Sequence, residues 1–160
     1  MDTLDLAALV PALVPDLMAR HPACGWTALA GRTANEDLVI ELYPLAWPER
    51  VATVRVNAGA EVFSFAFAGH YSHDFAYQDE DRPETLRERI DLAVEAASGP
   101  TRVICDQAGG TIIKSTLIVN PDGPNSREDV ASYPIRRLKL FLKRTRVTRN
   151  TTDFPAAPGS

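Results

Sequence analysis

The 160-residue chain is poor in the groups that carry most covalent and metal chemistry: two cysteines, three histidines, two methionines and two tryptophans. Two cysteines, Cys24 and Cys105, are too few for a disulfide framework and lack the spacing of a metal knuckle, so a reduced intracellular setting is the simpler reading, with one bridge between them left open. No run of apolar residues approaches the roughly 18 that a membrane span requires. The acidic start Met1-Asp2-Thr3-Leu4-Asp5 is the opposite of a secretory leader, and Pro11, Pro15 and Asp16 break the apolar stretch behind it. Cytoplasm is the expected location, with no membrane partner. Gly109-Gly110 has no following Lys and no G-x-G-x-x-G, no serine sits in G-x-S-x-G, and neither cysteine lies in a catalytic signature. These absences argue for no cofactor and no catalytic residue.

What the chain does have is alternation. Val51, Thr53, Arg55 and Asn57 alternate with Ala52, Val54, Val56 and Ala58; after Gly59, Val62, Ser64 and Ala66 alternate with Phe63, Phe65 and Phe67. A period of two means pleated strands, and a face carrying three phenylalanines needs an apolar cover. Leu38 to Tyr43 reads as a preceding strand, Trp26 to Glu36 as turn-rich, and Phe75 to Tyr77 as a short further strand. Asp81, with Pro83 and Glu84 after it, has the capping-box pattern of a helix whose face is Leu86, Ile90, Val94 and Ala97 and which Gly99-Pro100 closes. A hairpin follows, Thr101 to Cys105 and Thr111 to Val119 about Gly109-Gly110, and then turn chemistry from Asn120 to Pro124.

At the N-terminus Thr3 can cap a helix through Leu4, Leu6, Leu9 and Val10, continued or kinked by Leu13, Val14, Leu17 and Met18 to about Arg20. Pro134 to Thr145 fits a helix grouping Ile135, Leu138, Phe141 and Leu142, or a strand grouping Leu138, Leu140 and Leu142; Leu, Lys and Arg lean it to helix. The prediction is an α+β fold: an antiparallel meander of about five to six strands packed by N-terminal, central and C-terminal helices. A single domain is expected over residues 1–150, with a disordered tail from Thr151 to Ser160, where Pro155 and Pro158 fall.

The net charge of −4 hides an asymmetry. Through Ile135 ten basic residues face twenty acidic ones; after it seven face one, with Arg136, Arg137, Lys139, Lys143, Arg144, Arg146 and Arg149 in a segment free of acid. An acidic body repels nucleic acid and attracts a basic partner. The late cations, without aromatics at stacking intervals, suit pairing with that body combined with solvated charge on one face more than binding nucleic acid.

Two clusters are candidate sites. His70, His73 and Asp74 could serve as acid and base, or as ligands in a small enzyme or ligand-binding protein, although a loop or strand end there would make the imidazoles diverge. Asp79-Glu80-Asp81, with Tyr71, Asp74 and Tyr77 beside it, forms an acidic aromatic patch suited to a basic protein. Asp81 and Glu84 also have a bland explanation, since carboxylates are favoured where a helix begins.

The order of an N-terminal helix, a meander ending in Phe65-Ala66-Phe67-Ala68-Gly69-His70-Tyr71, the acidic Asp79-Glu80-Asp81, a helix, and the hairpin at Gly109-Gly110-Thr111 resembles small immunity proteins of bacterial polymorphic toxin systems. It covers Leu38 to Val119 and lies in layout, so no binding residue is carried over. What the resemblance implies is tight binding that blocks a cognate toxin. The functional expectation is thus a non-enzymatic protein-binding module using Tyr71, Asp74, Tyr77, Asp79, Glu80 and Asp81, with a small enzyme or ligand-binding protein at His70, His73 and Asp74 as the alternative.

Overall fold

The computed structural model describes residues 12–29 and 37–159. It is α+β, with two antiparallel sheets. The first is a meander of β1 (Cys24–Leu29), β2 (Leu38–Pro44), β3 (Ala52–Val56), β4 (Val62–Phe67) and β5 (His70–Phe75), paired in that order. The second has the order β8-β7-β6-β9, from β6 (Thr101–Ala108), β7 (Thr111–Val119), β8 (Arg127–Ser132) and β9 (Val147–Phe154). Helices α1 (Val14–Ala19), α2 (Arg82–Ser98) and α3 (Pro134–Leu142) complete the described elements.

Alternation sorts the first sheet into two faces. Val54 pairs with Phe65 and Val56 with Phe63, and all four are buried. Between these strands Asn57 Oδ1 accepts from the backbone N–H groups of Glu61 and Val62, at 2.9 Å each, which fixes the turn. The phenylalanine face is covered by α2, which packs across β2, β3 and β4. Leu86, Ile90, Ala93, Ala96 and Ala97 are its fully buried residues, and Val94 is buried too, so the face expected from helical spacing is inside and wider than Leu86, Ile90, Val94 and Ala97 alone. Burial of a phenylalanine or leucine there stabilises by roughly 1.5–3 kcal/mol each, so this interface supplies much of the stability of the first sheet. Val103, Cys105, Leu117 and Val119 of the second sheet join the same buried cluster, and Phe67 meets Phe154 at 5.0 Å between ring centroids. One core therefore serves both sheets.

Several expectations are corrected. Cys24 to Leu29, which overlaps the start of the Trp26 to Glu36 stretch read as turn-rich, is a strand, because Trp26 and Ala28 pack inward while Thr27 and Leu29 face out. The strand placed at Phe75 begins at His70. Asp81 stands at the start of α2, but its carboxylate makes no capping bond; its backbone carbonyl receives Thr85 N–H at 3.0 Å and Thr85 Oγ1 at 2.9 Å. Glu84 pairs with Arg87 and does not reach back. The tail is not disordered from Thr151: Thr151 to Phe154 pair with Ile104 to Thr101. Arg50 anchors the chain at the end of β9, donating to Ala97 O at 3.1 Å and Pro155 O at 2.7 Å while lying over the Trp47 and Phe154 rings. Strand β8 was not anticipated.

Of the segment Pro134 to Thr145 read as a helix, Pro134 to Leu142 is helical, with Pro134 as first residue. Cys24 and Cys105 are both free thiols. The helix expected at Thr3 to Val10 lies outside the described residues, and α1 accounts for the part ending near Arg20. Among the described residues no helix is long and apolar enough to cross a membrane.

Candidate functional site

Strand β5 decides where the candidate residues go. Neighbouring side chains on a strand point to opposite faces, so His70, Ser72 and Asp74 turn inward and Tyr71, His73 and Phe75 turn outward. The three members of the His70, His73, Asp74 set do not converge. Among the described residues no group of three or more His, Cys, Asp or Glu side chains could hold a metal.

The inward set forms a polar network between the sheets. His70 Nε2 lies 2.9 Å from Asp129 Oδ2 on β8, and Nδ1 lies 2.9 Å from Ser115 Oγ on β7. A carboxylate only accepts, so the Nε2 proton points at Asp129. Ser72 Oγ donates to the same oxygen at 2.5 Å. From α2, Arg89 donates to Ser72 Oγ at 3.2 Å and to Asp74 Oδ2 at 3.3 Å, with Nη1 3.9 Å from Asp129. Burial opposes ionisation of Asp129, but the hydrogen bonds from His70 and Ser72, with the charges of His70 and Arg89, more than offset it and hold the carboxyl below its ordinary range. Serine, imidazole and carboxylate stand in the order of a hydrolytic triad. Ser115 is 0 % exposed and His70 1 %, however, and a nucleophile must be reached by the carbonyl it attacks. In this geometry the network binds β5 to β7 and β8 and so joins the two sheets.

The outward set is an aromatic ladder. Tyr71 and His73 meet edge to face at 4.7 Å, His73 and Phe75 lie 6.5 Å apart, and Phe75 and Tyr77 stack at 6.0 Å with their planes 14° apart. His73 Nδ1 is 3.0 Å from Ser64 Oγ, which anchors the ladder to β4. Phe75 is 52 % and Tyr77 67 % exposed. Beside Tyr71 the small side chains Thr53, Ser64 and Ala66, with Arg55, surround a hollow of about 360 Å³. Tyr133 Oη donates to Tyr71 O at 2.6 Å, so the strand carrying the ladder is also tied to the junction between β8 and α3.

Of the predicted surface, Tyr71 and Tyr77 share this face. Asp74 does not, since it turns inward to Arg89. Asp79 is exposed but lies 2.7 Å from the buried Arg82 Nη1, an ion pair whose angles fall short of a hydrogen bond. Glu80 and Asp81 are exposed in the turn that follows Tyr77. His73 and Phe75 were missed as surface residues, and the unbroken alternation from Tyr71 to Tyr77 was the signal that could have found them. Asp129, Ser115 and Arg89 had no sequence signal, being linked to β5 only by the fold.

Of the two roles expected for the late cations, solvated charge describes most of them, all being exposed, and pairing with the acidic body is met at one. Among the described residues only Arg149 makes an ion pair, donating to Asp106 from Nε at 2.7 Å and Nη2 at 3.1 Å. Arg136 lies over the Tyr133 ring at 4.6 Å. Compared with known proteins, the chain matches no family model, no curated protein and no solved structure.

Proposed function

We propose that this protein is a non-enzymatic binding module that docks a basic protein against the outer face of β5, in the manner of an immunity protein neutralising its toxin. The observation that carries the reading is the exposed ladder of Tyr71, His73, Phe75 and Tyr77. Exposed aromatics in a contiguous row are costly to leave in water and are the residue types that dominate binding energy at interfaces. A hollow lined by small side chains lies beside Tyr71 and can take an anchoring side chain from the partner. Glu61, Glu80 and Asp81 are exposed around the Tyr77 end, and the body up to Ile135 carries twice as many acidic as basic residues. A basic partner is therefore steered to this side of the molecule.

The reading is tested by placing a photoreactive phenylalanine analogue at Phe75 and, as control, at Thr148 on β9, then crosslinking in cells of the source organism. The expected result is one basic protein captured from position 75 and not from 148, whose toxicity on expression is relieved by this chain. Equal capture from both positions, or capture of no basic protein, contradicts the proposal.

A further inference from the structure

A second surface lies on the other sheet. Between α3 and the strands β6, β7 and β9 runs a groove of about 460 Å³. Its apolar lining is Ile113, Pro134, Leu138 and Val147, and its cations are Lys114 and Arg137. Leu138 is 62 % exposed and Val147 more than half exposed, so the groove presents apolar surface that the described residues of the chain do not cover. Lys139, Lys143, Arg144 and Arg146 are exposed nearby and, among the described residues, none has a carboxylate partner. The one acid in the lining, Asp106, is already held by the bidentate bond from Arg149, which also keeps its carboxyl below the ordinary range, so it does not cancel the cations around it.

We infer that this groove binds an acidic peptide segment of a partner protein, one that places a large apolar side chain between Leu138 and Val147 and its carboxylates against Lys114 and Arg137. Charge complementarity selects the sign of the partner, because six cations of one acid-free segment have no carboxylate partner among the described residues and attract an anion. The apolar lining selects peptide over nucleic acid. A single strand needs free aromatic faces for its bases, and among the described side chains the ring adjoining α3, Tyr133, is covered by the Arg136 guanidinium. The acidic body of the molecule would further repel a long polyanion. A carboxylate-rich peptide with an apolar anchor is short enough to stay within the basic segment and uses both kinds of lining.

The test is fluorescence anisotropy with a labelled peptide of about a dozen residues, Asp and Glu on both sides of a Leu–Phe pair, against the full chain. A single-stranded oligodeoxynucleotide of equal charge serves as competitor. Saturable peptide binding is expected, weakened about tenfold or more by Lys114→Glu with Arg137→Glu. Leu138→Ser, or replacement of the Leu–Phe pair by Ser–Gly, should each weaken it about fivefold through lost apolar burial. Tyr77→Ala should leave it unchanged, which separates this surface from the ladder. Arg137 and Leu138 are exposed and Lys114 is half-buried, and an unchanged thermal midpoint verifies that each variant is folded. No saturable binding, indifference to the double charge reversal, or tighter binding of the oligonucleotide than of the peptide overturns the inference.

Discussion

Asp129 is the residue on which the joint between the two sheets depends most heavily. Replacing it with alanine removes the acceptor of both His70 Nε2–H and Ser72 Oγ–H and strips Arg89 of one of its carboxylate neighbours. A buried donor left without a partner costs about 1–3 kcal/mol. Breaking a fully buried ion pair costs about 3–5 kcal/mol. Asp129 keeps 23 % of its side chain exposed, so water can satisfy part of what is lost, and the lower end applies. The expected loss is about 3 kcal/mol, which for a domain of this size lowers the thermal midpoint by about 6–12 °C. Urea unfolding should show the same loss with an unchanged slope.

Acid titrates the same joint. The folded-state carboxyl of Asp129 titrates below its ordinary range, so its stabilising contribution is complete above that range, where both folded and unfolded chains are ionised. As pH falls, the unfolded chain takes up the proton first, and the contribution drains away until the folded carboxyl is protonated as well. The gap between wild type and Asp129→Asn should therefore narrow from neutral pH into acid, with His70, Arg89 and Asp74 as the ionisable groups that face the site. A loss under about 1 kcal/mol for Asp129→Ala, or a wild-type to Asn gap that does not change with pH, refutes the network as the joint between the sheets.

Two other substitutions test the fold from opposite sides. Gly99 closes α2 at φ +67°, ψ −178°, a region costing other residues about 1–3 kcal/mol, and an added Cβ would stand 2.7 Å from Pro155 O. Gly99→Ala should cost about 3 kcal/mol by urea unfolding; a neutral result would mean that the C-terminal segment does not pack there. Arg149→Ala should change stability by less than about 1 kcal/mol despite its two hydrogen bonds to Asp106, because the Arg149 side chain is 66 % exposed, and a larger loss would show β9 to depend on that pair.

How legible the fold was in the sequence depended on burial. Strands β3 and β4 could be read because one face is aliphatic or aromatic and the other is not, and α2 because Leu86, Ile90, Val94 and Ala97 recur at helical spacing. Strand β5 obeys the same period of two, but its inward face carries His70, Ser72 and Asp74. Polar side chains turn inward only because Asp129, Ser115 and Arg89 await them, and those partners lie far off in the chain. Arg127–Ser132 and Val147–Phe154 lie at the two edges of the second sheet and are exposed along most of their length. A strand exposed on both faces leaves no burial period to read, so β8 went unseen and β9 was divided between the domain and a tail. The candidate site was half legible for the same reason: Tyr71 and Tyr77 were found from composition, whereas grouping Asp74 with them ignored the alternation.

Whether the protein acts through the outer face of β5 is decided by the affinity of the basic protein crosslinked at position 75. That affinity is measured for wild type and for Phe75→Ala with Tyr77→Ala, by surface plasmon resonance at two salt concentrations. Interface aromatics of this kind contribute about 2 kcal/mol each, so the double variant should bind at least about a hundredfold more weakly, mainly through faster dissociation, while added salt slows association of both. An affinity within about threefold of wild type would place the binding energy elsewhere and refute the proposed role of this face.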